Sequence, residues 1–173
     1  MRQWMNVLGS LWMGVSSAHA AVVLKVGDRA PDFTAPSSDG QMVHLQELIG
    51  SAPIVLYFYP KDDTPGCTKE ACSLRDHFAA FRQLDARVYG LSYDTVESHQ
   101  AFAKKYNLPF ILISDHDKTI AKAYGADGLI WAKRMSFVVD KKGKIAWINP
   151  SVNPSTHSAE LEQVLKQLNQ TAS

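Results

Sequence analysis

The spacing of apolar residues along this chain changes period several times, and each change marks an element. Ile54-Val55-Leu56-Tyr57-Phe58-Tyr59 is apolar without a break, as a strand covered on both faces must be. From residue 65 to about 83, Ala71, Leu74, Phe78 and Phe81 keep helical spacing, which predicts one helix. Residues 87–92 and 110–113 read as two more strands. Between them, Asp94 and Glu97 form a capping-box-like start to a helix that ends near Tyr106. A short helix over 118–124 stops at Gly125. Two hairpins frame this series: 32–35 with 41–45 around Ser38-Asp39-Gly40, and 135–140 with 144–148 around Lys141-Lys142-Gly143. Leu161, Val164, Leu165 and Leu168 give 158–168 one apolar face, a closing amphipathic helix. The order hairpin, β-α-β-α-β, α, hairpin, α predicts an α/β fold, a mixed sheet with helices on both faces.

Composition narrows the picture little. A chain of 173 residues with 46% hydrophobic and 20% charged residues suits one soluble domain. Eighteen basic and 17 acidic residues leave a net charge of +1 with no basic stripe, which argues against a nucleic-acid partner. The N-terminus stands apart. Residues 1–20 hold one base, Arg2, and no acid; the apolar stretch from Val7 to Val15 leads to Ala18-His19-Ala20, a small-x-small cleavage site. This order reads as a secretory signal peptide over 1–20, leaving 21–173 as the folded domain in a periplasmic or extracellular setting. The alternative is an uncleaved extension on a cytoplasmic protein. The apolar stretch is shorter than the ~20 residues that span a bilayer, so no stable membrane association is expected after cleavage.

The chemistry concentrates at the end of the first long strand. Pro60-Lys61-Asp62-Asp63-Thr64-Pro65-Gly66-Cys67-Thr68-Lys69-Glu70-Ala71-Cys72 carries both cysteines of the chain. Thr64 is placed as N-cap and Pro65 as the first helical residue. Cys67 then falls in the first turn, where free N–H groups and the positive helix end favour a thiolate.

These residues resemble the peroxiredoxins, whose Pro-x-x-x-Thr-x-x-Cys signature is matched by Pro60, Thr64 and Cys67. A second cysteine five positions on resembles the bacterioferritin-comigratory-protein (PrxQ) branch. The resemblance runs from about Val26 to Leu168 and implies the thioredoxin-like fold of that family. It implies a thiol-dependent peroxidase that needs no cofactor or metal. Cys67 would attack the peroxide and Cys72 would resolve the sulfenic acid to an intramolecular disulfide. A thioredoxin or thioredoxin-like dithiol would then reduce that disulfide. Arg134, at the start of a late strand, falls where the family places its active-site arginine, with Lys133 as the competitor if the register slips by one. Thr64 would hydrogen-bond thiolate or peroxide, Pro60 would shield the pocket, and Glu70 would orient the arginine. The resemblance also implies a monomer.

Helix geometry adds a constraint of its own. Residues 67 and 72 of an ideal helix lie about 140° apart around the axis, with Cα atoms roughly 8–9 Å apart. A disulfide needs less than about 7 Å, so the two sulfurs pair only if the first turns unwind. Three other readings compete. A thioredoxin-type oxidoreductase would want Cys-x-x-Cys, not Cys-x4-Cys. A copper site from Cys67, Cys72 and His77 is disfavoured because spacings of five scatter ligands around a helix. A non-catalytic thioredoxin-like module would not need Pro60, Thr64, Cys67 and Cys72 together. The six histidines form no metal-ligand pair, and each alone reads as a surface or satisfied side chain.

Overall fold

The continuously apolar strand is central, as its pattern requires. It forms β3 (Ile54–Phe58), all five residues buried, in a five-stranded sheet of order β5-β4-β3-β6-β7. The computed structural model describes residues 23–171, so the leader read at 1–20 lies outside the described residues. β4 (Arg87–Ser92) runs parallel to β3, with Tyr57 opposite Gly90, and β5 (Ile111–Ser114) runs parallel to β4. β6 (Met135–Val139) and β7 (Ile145–Asn149) are antiparallel on the other side. The first hairpin, β1 (Thr34–Pro36) with β2 (Met42–His44), pairs on its own, and α1 (Leu45–Leu48) follows it.

Strand alternation divides the core in two. Ile54, Leu56 and Phe58 face α1, the first hairpin and α5 (Thr119–Tyr124). Val55, Tyr57 and Tyr59 face the other helices: α2 (Pro65–Asp76), α3 (Phe78–Gln83), α4 (Val96–Tyr106) and α6 (His157–Thr171). Helices therefore cover both faces of a mixed sheet, as the order of elements predicts.

Two expectations need correction. The helix expected over 65–83 is two helices, broken at His77, whose backbone leaves helical geometry at φ −95° and ψ 1°. Its Nδ1 contacts the Ser73 carbonyl at 3.0 Å, the same oxygen that its backbone N–H uses at 3.2 Å. That carbonyl thus meets two nitrogens of the residue at which the backbone turns away. The second correction concerns α4, which is capped by Thr95, not by Asp94; Thr95 Oγ1 accepts from Ser98 N at 3.3 Å. Asp94 instead accepts from Asp62 N at 3.0 Å and Ser92 Oγ at 2.6 Å.

Gly90 is a requirement of packing. A Cβ there would stand 2.7 Å from the Tyr57 ring and 2.8 Å from Leu112 Cδ2. Its absence lets Tyr57 lie across β4, stacked on Tyr59 with ring centroids 5.4 Å apart.

Burial of the phenols has a measurable consequence. Desolvation, then the charges of Glu70 and Asp62, holds the Tyr57 hydroxyl protonated well above the ordinary tyrosine range. Desolvation does the same first for Tyr59, helped by Tyr57 and Asp62, and for Tyr124, helped by Asp32. The unfolded chain ionises these groups from about pH 10 and the folded chain does not. The stability they contribute is full below that pH and falls as pH rises above it. Phenolate absorbance should therefore show three of the six tyrosines ionising only with a cooperative loss of near-ultraviolet dichroism. Smooth ionisation of all six in a folded protein would contradict this.

Candidate active site

Pro60, half-buried, ends the central strand, because it offers no N–H to extend the ladder. The turn that follows is anchored to α4. Asp62 accepts from Tyr59 OH at 2.6 Å, Ser98 Oγ at 2.8 Å and His99 Nδ1 at 2.9 Å. His99 Nε2 contacts the Ile113 carbonyl at 3.2 Å. Both of these partners are acceptors, so the ring bridges the turn and β5. Asp63, at a left-handed φ of 55°, is held by Lys105 Nζ at 2.6 Å and Tyr106 OH at 2.7 Å. The Lys105 hydrogen bond is the main cause that keeps its carboxyl below the ordinary range.

Thr64 stands at the N-cap with extended backbone (ψ 152°), as a residue before proline must. Pro65 opens α2, and Cys67 follows in its first turn, 2% exposed. The Thr64 side chain departs from expectation. Its Oγ1 donates to the Lys61 carbonyl at 3.0 Å and makes no cap bond. The left-handed step at Asp63 folds the turn back so that this carbonyl is the acceptor within reach.

Arg134 immediately precedes β6, and the β3–β6 pairing of Phe58 with Met135 carries it to the end of the strand that delivers the turn. Its Nη2 donates to Cys67 Sγ at 3.2 Å, and its Nη1 donates to Glu70 Oε2. Glu70 is fully buried one helical turn after Cys67. The guanidinium lies against the first turn of α2: a Cβ at Gly66 would meet Nη2 at 3.4 Å, an ordinary van der Waals contact. Burial works against the charge of Arg134, but Glu70 and Cys67 outweigh it and hold its pKa above the ordinary value. The competing base is excluded by its direction: Lys133 is exposed and its Nζ donates to the Gly125 carbonyl at 3.3 Å.

Cys72 is half-buried on the same unbroken helix, and both cysteines are free thiols. The structure brings together Cys67, Arg134 and Glu70. It leaves Cys72 further along α2, and Pro60 and Thr64 in the turn before it. Among the described residues, no group of three or more His, Cys, Asp or Glu is arranged to hold a metal.

The pattern of the sequence did not reveal His157. It is fully buried at the start of α6, with Nδ1 2.8 Å from Glu70 Oε1. Its partner lies on a distant helix, so no spacing rule could have paired them. The arrangement suits one kind of chemistry. A guanidinium shared between a carboxylate and a sulfur, beside a helix N-terminus, stabilises a thiolate and presents donors to an oxygen substrate.

Comparison with known proteins agrees. Residues 26–148 match the AhpC/TSA family. A putative peroxiredoxin bcp of Coxiella burnetii is 44% identical over 146 residues, covering 80% of this chain and 96% of that protein. The crystal structure of peroxidoxin BcpB from Mycobacterium tuberculosis superposes with a TM-score of 0.80 at 34% identity, covering 84% of this chain and 99% of the other. The bacterioferritin comigratory protein of Xanthomonas campestris, described for its alkyl peroxide reduction activity, gives a TM-score of 0.74 at 27% identity, covering 78% and 90%.

Proposed function

The chain belongs to the AhpC/TSA family of peroxiredoxins, in its bacterioferritin-comigratory-protein (PrxQ) branch, and on that premise we propose that it reduces peroxides through Cys67 and Cys72. Thiol-dependent peroxide reduction is the activity of the family. The observation that supports the assignment to Cys67 is its place in the first turn of α2, 3.2 Å from Arg134 Nη2.

The Cys67 thiolate attacks the nearer peroxide oxygen and the O–O bond breaks. Sulfur gains one oxygen as a sulfenic acid, and the departing alkoxide or hydroxide takes a proton to leave as alcohol or water. The guanidinium of Arg134 and the unpaired N–H groups of Gly66 and Cys67 face the developing negative charge. Pro60 and the buried setting of Cys67 limit water at the sulfur. Thr64 positions the turn through the Lys61 carbonyl and meets the peroxide only after turning its hydroxyl. The Cys72 thiol then attacks the sulfenic sulfur, a disulfide forms and water leaves. A thioredoxin-like dithiol reduces the disulfide by exchange and is itself oxidised.

Organic hydroperoxides are included as substrates because the Xanthomonas relative is described for alkyl peroxide reduction. The leader at 1–20 supports export, with the protein working as a monomer in an oxidising compartment supplied with dithiol; the mature N-terminus, read by mass spectrometry, tests this. The test of the activity is peroxide consumption by the reduced protein with a dithiol donor, with hydrogen peroxide and an alkyl hydroperoxide compared. Failure to consume either would overturn the reading.

The cycle requires α2 to open. Both cysteines lie in one continuous helix, Pro65–Asp76, and helical residues five apart sit roughly 8–9 Å apart at Cα, beyond the ~7 Å disulfide limit. Amide exchange over residues 66–75 should be faster in the disulfide form than in the dithiol form, with some loss of far-ultraviolet helix signal. Equal protection in the two forms would contradict local unwinding.

A further inference from the structure

The peroxide reaction leaves a buried histidine beside its own site without a task. His157 is fully buried, and so is Glu70, whose Oε1 lies 2.8 Å from His157 Nδ1. The other Glu70 oxygen accepts from Arg134 Nη1, and Arg134 Nη2 reaches Cys67 Sγ at 3.2 Å. Four chemically active groups thus stand in series from α6 to the reacting sulfur. The contact falls outside hydrogen-bond geometry, so it is a close polar contact and not an aligned hydrogen bond. A carboxylate oxygen this close favours the tautomer with its proton on Nδ1.

The groups that face His157 are few. Glu70 faces it from α2 and Tyr57 from β3, its ring edge-on at 6.0 Å. Arg134 and Cys67 act on it through Glu70. His157 Nε2 and the Tyr57 hydroxyl have no hydrogen-bond partner among the described residues. A 2.7 Å contact between Ser73 Oγ and Ser158 Oγ fixes α6 against α2, so the geometry is held from both helices.

Charge arithmetic assigns the task. With Cys67 as thiol, Glu70 and Arg134 balance one another. With Cys67 as thiolate, the buried set carries two negative charges and one positive, and uncompensated buried charge is costly. Only His157 can restore neutrality, by taking a second proton at Nε2. We propose that His157 is a positioning residue of the peroxide reaction: its Nδ1 side steadies Glu70 so that Arg134 stays aimed at Cys67, and it gains a proton at Nε2 when Cys67 loses one. One proton leaves Sγ, one arrives at Nε2, both exchange with solvent, and no electron moves. The proposal rests on Cys67 being the reacting thiol.

The test uses the Cys72→Ser protein. His157→Asn keeps a neutral donor near Nδ1 and lacks the second site; His157→Phe lacks both. The readouts are the second-order rate with hydrogen peroxide and the pH midpoint of Cys67 alkylation, followed from about pH 5 to pH 8. His157→Phe should slow the reaction about tenfold at neutral pH and move the midpoint up by about one pH unit, the shift that corresponds to tenfold. His157→Asn should recover much of the rate at high pH but keep the raised midpoint. An unchanged rate and midpoint in both variants, or a slower rate with an unmoved midpoint, would overturn the proposal. A measurement free of any change at 157 accompanies these. The imidazole resonance of His157 is titrated with Cys67 present and in Cys67→Ser. Its midpoint should fall when the sulfur is lost, and equal midpoints would overturn the coupling. Steady turnover by Cys67→Ser would be a different failure, of the underlying assignment.

Discussion

Cys67→Ser should abolish peroxide turnover, and Cys72→Ser should leave a single reaction per molecule. The two cysteines differ in position more than in chemistry. Cys67 sits in the first turn of α2 with a guanidinium at 3.2 Å, whereas Cys72 is more than a turn further on, where the helix end contributes little. A hydroxyl does not form the nucleophilic anion at neutral pH, so serine at 67 stops the first step outright. Serine at 72 leaves that step intact but removes the thiol that would capture the sulfenic acid. The Cys72→Ser protein should therefore consume about one equivalent of peroxide and then stall, over-oxidising under excess. Stopped-flow consumption with a dithiol donor separates the cases. Steady turnover by Cys67→Ser would show that another group reacts with peroxide.

Arg134→Ala should slow the peroxide reaction by about 10²–10³-fold, the loss found when one charge-stabilising donor is removed from a reaction centre. It should also move the midpoint of Cys67 alkylation to higher pH, because the cation nearest the sulfur is gone. The same change strands Glu70, fully buried, without its charged partner. Breaking a buried pair in this way costs about 3–5 kcal/mol. Arg134→Lys restores the charge but not the planar fork that reaches Glu70 and Cys67 together. It should recover the alkylation midpoint better than the rate. An unchanged midpoint and rate in Arg134→Ala would mean that the guanidinium serves only the stability of α2.

The elements were legible where one local rule decided them. The unbroken apolar run at 54–59 specified a central strand, and Thr64 followed by Pro65 specified the start of α2. The break at His77 was not legible, because Phe78 and Phe81 keep the helical spacing of Ala71 and Leu74 across it. The break lies in the backbone angles of His77, which periodicity does not record. The site divides in the same way. Cys67 could be reasoned from its helix start alone. Arg134 looked like any charge at a strand end until family resemblance selected it, and only its bonds to Glu70 and Cys67 give it a physical role. His157 and the Asp62–His99 pair were hidden, since each joins residues on different elements. Burial gives such unremarkable histidines specific carboxylate neighbours, and burial is a property of the assembled fold.

The central claim is that peroxide oxygen is delivered to Cys67 and then expelled by Cys72. The most direct measurement is peptide mass analysis after one equivalent of hydrogen peroxide is added to the reduced protein and to Cys72→Ser. The wild-type protein should lose two hydrogens, with a disulfide joining Cys67 to Cys72 within one molecule. Cys72→Ser should gain a single oxygen at Cys67. Oxygen found first on Cys72, or a wild-type product with both thiols still free after the peroxide is consumed, would contradict the account.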